Sequence, residues 1–237
     1  MTIPGIHDRF YKFLKTFVSS DSNLKILDVG AGHGAFTKKL YDEGYQVSAC
    51  DLFPELFYFN KINCKKVDIT KSLPYEDNSF DIIIGIEIME HVFNHEVFFR
   101  ECYRILKPYG KLIISTPNIL SLKSRLRFFF TGFFYSFKPL ELKNNDGLQH
   151  VASLTVNQYN YLGMQNGFKC SIINIDKKQK SSISLSFLWP FLWIYSKVKK
   201  VDFNVHNKMN LLLGRKLFLT FETEKNEISP VNPPTIP

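Results

Sequence analysis

The sequence predicts an α/β fold: a doubly wound, mostly parallel sheet of seven strands, with helical insertions after the fifth strand and between the last two. Three observations predict it. Short apolar runs alternate along the chain with stretches of helical length, the pattern of a parallel sheet covered on both faces. A glycine-rich turn, "GAGHG" at 30–34, joins one such run directly to a helix-like stretch. The chain has 237 residues, enough for one such domain with insertions and not demanding two.

The first element is a helix. In "IHDRFYKFLKTF", Ile6, Phe10, Phe13, Leu14 and Phe17 recur at the spacing of one helical face. The strands come next as "KILDVG" (25–30), "QVSACD" (46–51), "KKVD" (65–68), "FDIIIGI" (80–86), "KLIIST" (111–116), "FKCSIINI" (168–175) and "KLFLTFE" (216–222). Helices are predicted near 35–43, 54–60, 88–106 and 157–166. The sheet core then covers about 20–176 and 214–223 of a single domain spanning 1–237, with lid-like insertions at 119–150 and 177–213. The tail from 224 to 237 ends in "SPVNPPTIP", whose proline content predicts extended or disordered chain.

Composition narrows the class. Hydrophobic content of 45% and charged content of 22% are those of a globular protein. The net charge of +8 favours anionic partners or an anionic membrane surface, and nothing in the pattern singles out nucleic acid. Cys50, Cys64, Cys102 and Cys170 lie far apart with no CxxC pair, which argues against a zinc site or disulfide framework and for reduced, buried thiols. The N-terminal stretch carries charges throughout and does not read as a signal peptide, so a cytoplasmic location is expected.

Both insertions combine aromatics with Lys or Arg: "SLKSRLRFFFTGFFYSF" (121–137) and "SSISLSFLWPFLWIYSKVKK" (181–200). The uncharged run from Ser181 to Ser196 is shorter than the roughly 20 residues that cross a bilayer, and Pro190 interrupts it. Aromatics flanked by lysines suit a segment lying in the membrane interface, giving peripheral membrane contact through 121–137 and 181–200. Helices closing over the protein's own core are the alternative.

In "ILDVGAGHGAF" (26–36) the glycines let backbone approach a ligand closely, and a helix N-terminus comes directly after them. Taken alone, Gly30-x-Gly32-x-x-Ala35 with Asp51 downstream also fits a dinucleotide site. Asp28 decides between ligands: a carboxylate at this strand end repels a pyrophosphate and matches an ammonium group on a ligand without phosphates. S-adenosylmethionine is such a ligand. Plain readings stand beside these: turn glycines, a solvent-facing His33, and capping roles for Asp51 and Asp68.

"LDVGAGHG" resembles the first motif of class I S-adenosylmethionine-dependent methyltransferases, whose sheet is Rossmann-like, and the later motifs come in that family's order. "FDIIIGIEIMEHV" and "RECYRILKPYGKLIISTPN" resemble the fourth strand, its helix and the fifth strand of the ubiquinone-biosynthesis O-methyltransferase type. "YLGMQNGF" is similar to the helix and turn before the sixth strand. The resemblance spans roughly 20–175 and the final strand. It implies S-adenosylmethionine as cofactor, held by Asp28, Gly30, Gly32, Gly34, Asp51, Leu52, Asp68, Ile69 and Glu87. Asp51 would meet the ribose hydroxyls and Asp68 the adenine amine.

The fourth strand runs into "EIMEH" rather than the Asn-Pro-Pro-Tyr type motif of amine methylators. The "NPPT" at 232–235 has no strand ahead of it. O-methylation is therefore expected, of a small-molecule, lipid or glycan acceptor. In-line methyl transfer requires alignment and removal of a hydroxyl proton. His91, oriented by Glu90, and His150 in "GLQHVAS" are the candidate bases. If a helix began at Glu87, then Glu87, Glu90 and His91 would share one face. The small-RNA 2′-O-methyltransferases carry a similar Glu-x-x-Glu-His, which with a later histidine holds a divalent metal. That resemblance offers a metal at Glu87, Glu90, His91 and His150, a donor set better suited to Mn²⁺, Fe²⁺ or Zn²⁺ than to Mg²⁺, although a metal is not the default expectation. In relatives without metal, the first of these residues lies near the methionine end of the cofactor, and the histidine packs or acts as a base. Two rival functions remain: a nicotinamide-dependent oxidoreductase on a similar sheet, disfavoured by Asp28, and a non-catalytic interaction protein, disfavoured by the intact glycine loop.

Overall fold

The computed structural model describes residues 5–18, 23–144 and 146–225. Its elements run α1 (Ile6–Leu14), β1 (Lys25–Val29), α2 (Ala35–Asp42), β2 (Gln46–Asp51), β3 (Cys64–Lys66), β4 (Phe80–Ile86), α3 (His95–Ile105), β5 (Leu106–Pro117), α4 (Leu122–Thr131) and α5 (Val156–Gln165). They continue with β6 (Ile172–Ile175), α6 (Lys180–Ser184), α7 (Trp189–Val198), α8 (Phe203–His206), α9 (Met209–Leu213) and β7 (Lys216–Glu222). One seven-stranded sheet has the order β3-β2-β1-β4-β5-β7-β6. β1 to β5 pair in parallel, while β7 runs antiparallel to both β5 and β6. This is the doubly wound, mostly parallel sheet expected from the alternation of strands and helices.

Alternate residues of the central strands feed two cores. On one face Ile26, Ile82, Ile84 and Ile113 pack with Phe36 and Leu40 of α2 and with the apolar stripe of α1. Phe10 is fully buried and meets Phe218 edge-on, ring centroids 5.2 Å apart. Burial of such a ring stabilises by about 2–3 kcal/mol. On the other face Leu27, Ile83, Leu112 and Ile114 pack against Phe98 and Phe99 of α3 and Tyr159 of α5. α1 stops at Leu14, so Phe17 joins this packing only from the turn beyond it.

Three local expectations are corrected. The helix placed at 88–106 is a single 3₁₀ turn, Met89–His91, then a break and then α3. Asn94 caps α3 by accepting from the Val97 amide, so the helix starts at His95. At 54–60 only the turn Pro54–Leu56 is helical, because Phe57 runs extended to lay its ring against Gly34. The sixth strand is shorter than 168–175: β6 covers Ile172–Ile175, and Phe168 contributes only an isolated bridge to Thr223.

Thiol burial is uneven: Cys50 and Cys102 are buried, Cys64 is half-buried and Cys170 exposed, and all four are free. Chain beyond the predicted core end stays ordered as far as Lys225. Its ammonium donates to the Arg104 and Leu106 carbonyls and to Asn78. The remaining tail, including "NPPT", lies outside the described residues.

The two insertions pack on one another. Leu122 from α4 meets Leu212 and Leu213 from α9, with Leu185 and Leu192 alongside. The Arg125 guanidinium donates to the His206 carbonyl (2.7 Å) and to Asn207 Oδ1 (2.6 Å). Leu212 is fully buried. Leu212→Ala should therefore cost about 2–4 kcal/mol in urea unfolding, through the lost methylenes and the cavity left between the insertions; a change below about half a kcal/mol would show that this seam closes up freely.

Candidate active site

The carboxyl ends of parallel strands, where the strand order reverses, form the ligand-binding edge of such sheets. At the end of β1 the chain turns through Gly30 (φ 68°), Gly32 (φ 53°) and Gly34 (φ 81°), all in the left-handed region that favours glycine. A Cβ on Gly30 would lie 2.3 Å from Ile88 Cγ2, so the turn accepts no larger residue there. The Asp51 carboxylate, at the end of β2, braces this turn. Its Oδ2 accepts from the Gly32 amide and its Oδ1 from the Phe53 amide, both at 2.8 Å. His33 is exposed, with its ring against Tyr58.

Asp28 is buried, and its Oδ2 accepts from the Thr37 hydroxyl at 2.6 Å. Burial and the neighbouring Asp51 charge push its carboxyl up to about 7. Asp28 therefore faces α2 as well as the glycine turn, and its charge is half-expressed near neutral pH. Asp68 sits just after β3 and accepts from the amide and hydroxyl of Thr70, with Lys71 beside it. Those contacts make a capping turn of the Asp68 loop. Leu52 is exposed beside the glycine turn, while Ile69 packs partly against the core.

The end of β4 departs most from what the sequence predicts. Glu87 has φ 57°, so no helix begins there and the three side chains do not share a helical face. Its amide donates to the Ser115 carbonyl at 3.1 Å, and Ser115 Oγ donates to Glu87 Oε1 at 2.9 Å. Glu87 Oε2 accepts from the ammonium of Lys216, and both side chains are largely buried. Lys216 belongs to no motif, and Ser115 lies in the fifth-strand motif without being singled out by it. The available signal was topological: β7 is antiparallel, so its first residue stands opposite Pro117 at the sheet's carboxyl edge.

Glu90 is buried, and its Oε2 has no hydrogen-bond partner among the described residues. Burial, then the Glu87 charge, raise its carboxyl well above the usual carboxylate range, against an opposing pull from Lys216. The Glu90 carbonyl accepts from the Val151 amide at 2.8 Å, which pins the 138–155 loop to the end of β4. The Gln149 carbonyl then faces His91 Nδ1 at 3.1 Å, and the rings of His91 and His150 meet edge-on with centroids 4.9 Å apart.

Because a carbonyl only accepts, Nδ1 of His91 carries the proton and Nε2 keeps its lone pair. Burial, with Lys216 nearby, lowers the pKa of His91. Burial, His91 and Lys216 bring His150 down to about 4. Both imidazoles are therefore neutral at pH 7. Ligand atoms of Glu90, His91 and His150 lie within 4.8 Å of one another, a two-imidazole, one-carboxylate set. Glu87, held by Lys216 and Ser115, is outside that set.

Part of this chain is similar to known methyltransferases, and its fold is shared with solved ones. The profile described as "Methyltransferase domain" matches residues 27–114. The mitochondrial ubiquinone biosynthesis O-methyltransferase of Rattus norvegicus is 32% identical over 135 residues, covering 50% of this chain and 38% of that protein. The chain spans about two-fifths of the length of the curated relatives it matches. A SAM-dependent methyltransferase from Archaeoglobus fulgidus shares the fold with a TM-score of 0.62 at 16% identity, over 92% of this chain and 93% of that one. Phosphoethanolamine N-methyltransferase 2 of Haemonchus contortus, in complex with S-adenosyl-L-methionine, superposes with a TM-score of 0.58 at 16% identity, over 92% of this chain and 53% of that one.

The Lys216–Glu87 pair makes a sharp prediction. Lys216→Met alone leaves a buried carboxylate uncompensated and should destabilise by about 3–5 kcal/mol in denaturant unfolding, whereas Lys216→Met with Glu87→Gln should recover most of that loss. Additive costs in the double variant would show that the two groups do not depend on each other.

Proposed function

We propose that this chain, which has the fold and methyltransferase domain of class I S-adenosylmethionine-dependent methyltransferases of the ubiquinone-biosynthesis type, methylates a hydroxyl oxygen of a small-molecule, lipid or lipid-linked glycan acceptor. One observation carries the choice of oxygen: His91 is a neutral imidazole with Nδ1–H fixed on the Gln149 carbonyl and Nε2 free to take a proton. An amine acceptor that arrives uncharged needs no such base; a hydroxyl must lose its proton as the new bond forms. The bound cofactor supplies an electrophilic methyl group.

The chain's own residues fit that cofactor. The left-handed glycine turn provides a close backbone approach, and each Asp51 oxygen, while accepting one amide, retains a lone pair for a ribose hydroxyl. Asp28 is a buried carboxyl whose ionised form is stabilised by a cation, which suits a ligand bearing an ammonium. Asp68 and Ile69 follow the end of β3, the strand paired with β2, and would meet the base side of a nucleoside held at Asp51. Glu87 and Lys216 form a closed pair at the methionine side and hold the strand ends together. His150 and Glu90 shape the acceptor side around His91.

A second reading is favoured by the three-donor set of Glu90, His91 and His150, which suits Mn²⁺, Fe²⁺ or Zn²⁺. A bound divalent ion would acidify an acceptor hydroxyl. Lys216 opposes it, since its ammonium acts on both imidazoles.

Calorimetric titration tests the cofactor. S-adenosylmethionine should bind and NAD(H) should not, and Asp51→Asn should weaken binding roughly 10–100-fold through loss of a charged acceptor. With Asp28 at about 7 in the free protein, affinity for the cationic ligand should fall as pH drops below about 7, because protonation removes the charge the ligand prefers. A profile that stays flat from roughly pH 5 to roughly pH 8 would detach Asp28 from the ligand.

Activity after chelation separates the two readings of the acceptor side. With His91 as the base, methyl transfer persists in EDTA, and His91→Ala lowers kcat by roughly 10²–10⁴ while donor affinity is kept. Loss in EDTA with rescue by Mn²⁺, itself lost in Glu90→Gln and His150→Ala, would establish the metal instead.

A further inference from the structure

We propose that the outer surface of the two insertions, α4 with the segment from Phe187 through α7, docks on an anionic lipid bilayer. The proposal starts from an inversion of ordinary helix patterning. In a helix on a protein surface the apolar stripe faces inward. In α7 the residues that face inward are Leu192, which packs beside Leu122, and Ser196, which is buried. Phe191, Ile194, Tyr195 and Val198 recur at the spacing of the opposite face and are 66%, 52%, 64% and 71% exposed. Lys197 and Lys199 fall on either side of that face, Lys197 lying over the Trp193 ring at 5.8 Å.

α4 extends the same surface. Phe129 and Phe130 are 80% and 73% exposed. A shallow groove of about 410 Å³ lies between α4 and α6, bordered by Lys123, Arg127 and Phe130 on one side and Leu185 on the other; Phe187, just beyond α6, is 63% exposed. Exposed apolar residues this numerous on two helices joined by the Leu122–Leu192 packing mark a docking site rather than residues scattered singly.

Charge selects the occupant. Segments 121–137 and 177–213 together carry ten Lys or Arg and one acidic residue, Asp202. Aromatics at the depth of headgroups, rimmed by cations, are the chemistry of a helix lying in the interface of an anionic bilayer. Among the described residues no helix is long and apolar enough to cross a membrane, so the contact lies on the bilayer. The aliphatic residues Leu122, Leu185, Leu192, Leu212 and Leu213 meanwhile seal the insertions onto each other, so the outward aromatics are surplus to internal packing.

The test needs no methyl donor and stands whatever reaction the site performs. Both tryptophans of the chain, Trp189 and Trp193, lie in α7, so their emission reports on this surface. Vesicles of phosphatidylglycerol and phosphatidylcholine should shift that emission to the blue and sediment the full chain at low salt. High salt should release it, and pure phosphatidylcholine should bind at least roughly tenfold more weakly. Phe191→Ser with Tyr195→Ser, and separately Lys197→Glu with Lys199→Glu, should each weaken binding at least roughly tenfold with unchanged thermal unfolding, since all four side chains sit in solvent. A chain that stays in the supernatant with anionic vesicles at low salt overturns the proposal. So do variants that bind as tightly as the unaltered chain. Self-association removed by the aromatic variants, without vesicle binding, would assign the surface to a second copy of the chain.

Discussion

The ion pair between Lys216 and Glu87 is the contact on which the rest of the site depends. It ties the end of β4 to the start of β7 across β5, with Ser115 of β5 bonded to the same carboxylate. A buried carboxylate with φ in the left-handed region is an unfavourable thing to build, and it persists because three strands hold it there. Glu87 and Lys216 also set the charge of their neighbours in opposite senses. The Glu87 charge raises the Glu90 carboxyl's pKa, while the Lys216 cation helps keep His91 and His150 neutral. The result is a cluster in which His91 and His150 are neutral imidazoles at pH 7 and the Glu90 carboxyl is held well above the usual carboxylate range, although they stand at the edge of a basic protein.

That neutrality suits methyl transfer to oxygen. A base that is already protonated takes no proton, and an ionised Glu90 beside His91 would favour the imidazolium form over the neutral one. A donor bearing positive charge also meets less repulsion from a paired ammonium than from a free one. Burial does most of this, since desolvation leads the causes for Glu90, His91 and His150 alike. In this cluster Glu90 Oε2 and His150 Nδ1 are buried without a hydrogen-bond partner among the described residues.

The sheet was legible in the sequence because its signals are local and redundant. Most strands read as short apolar runs bounded by turn residues, and the glycine turn needs left-handed backbone that few other residues adopt. Helix starts were less legible: Asn94 is an ordinary capping residue, yet the apolar continuity of "IEIMEHVFNHEVFF" hid it. The acceptor side was half legible. His91 and His150 are drawn together by bonds from the Val151 amide to the Glu90 carbonyl and from His91 to the Gln149 carbonyl, which no side-chain pattern announces. Lys216 was hidden by its place among strand residues, since a lysine opening "KLFLTFE" reads as a solvated strand end. Only the antiparallel register of β7 carries it to the ligand edge.

The 138–155 loop is where the separate parts of the molecule meet. Gly147 packs beside Leu52, the residue after Asp51. The Val151 amide is fixed to the Glu90 carbonyl. Between them His150 lies against Phe137, whose carbonyl accepts from Arg127 of α4 at 3.0 Å. The contacts thus run without a gap from the outward-facing helix α4, through Phe137 and His150, to His91. This is contiguity, and contiguity alone does not demonstrate coupling. It does constrain how the parts move: α4 cannot shift relative to the sheet without straining either the Arg127–Phe137 bond or the ring contact on His150. His91 is therefore positioned by the same insertion that carries the aromatic surface, and the sheet supplies only the anchor against which that insertion is set.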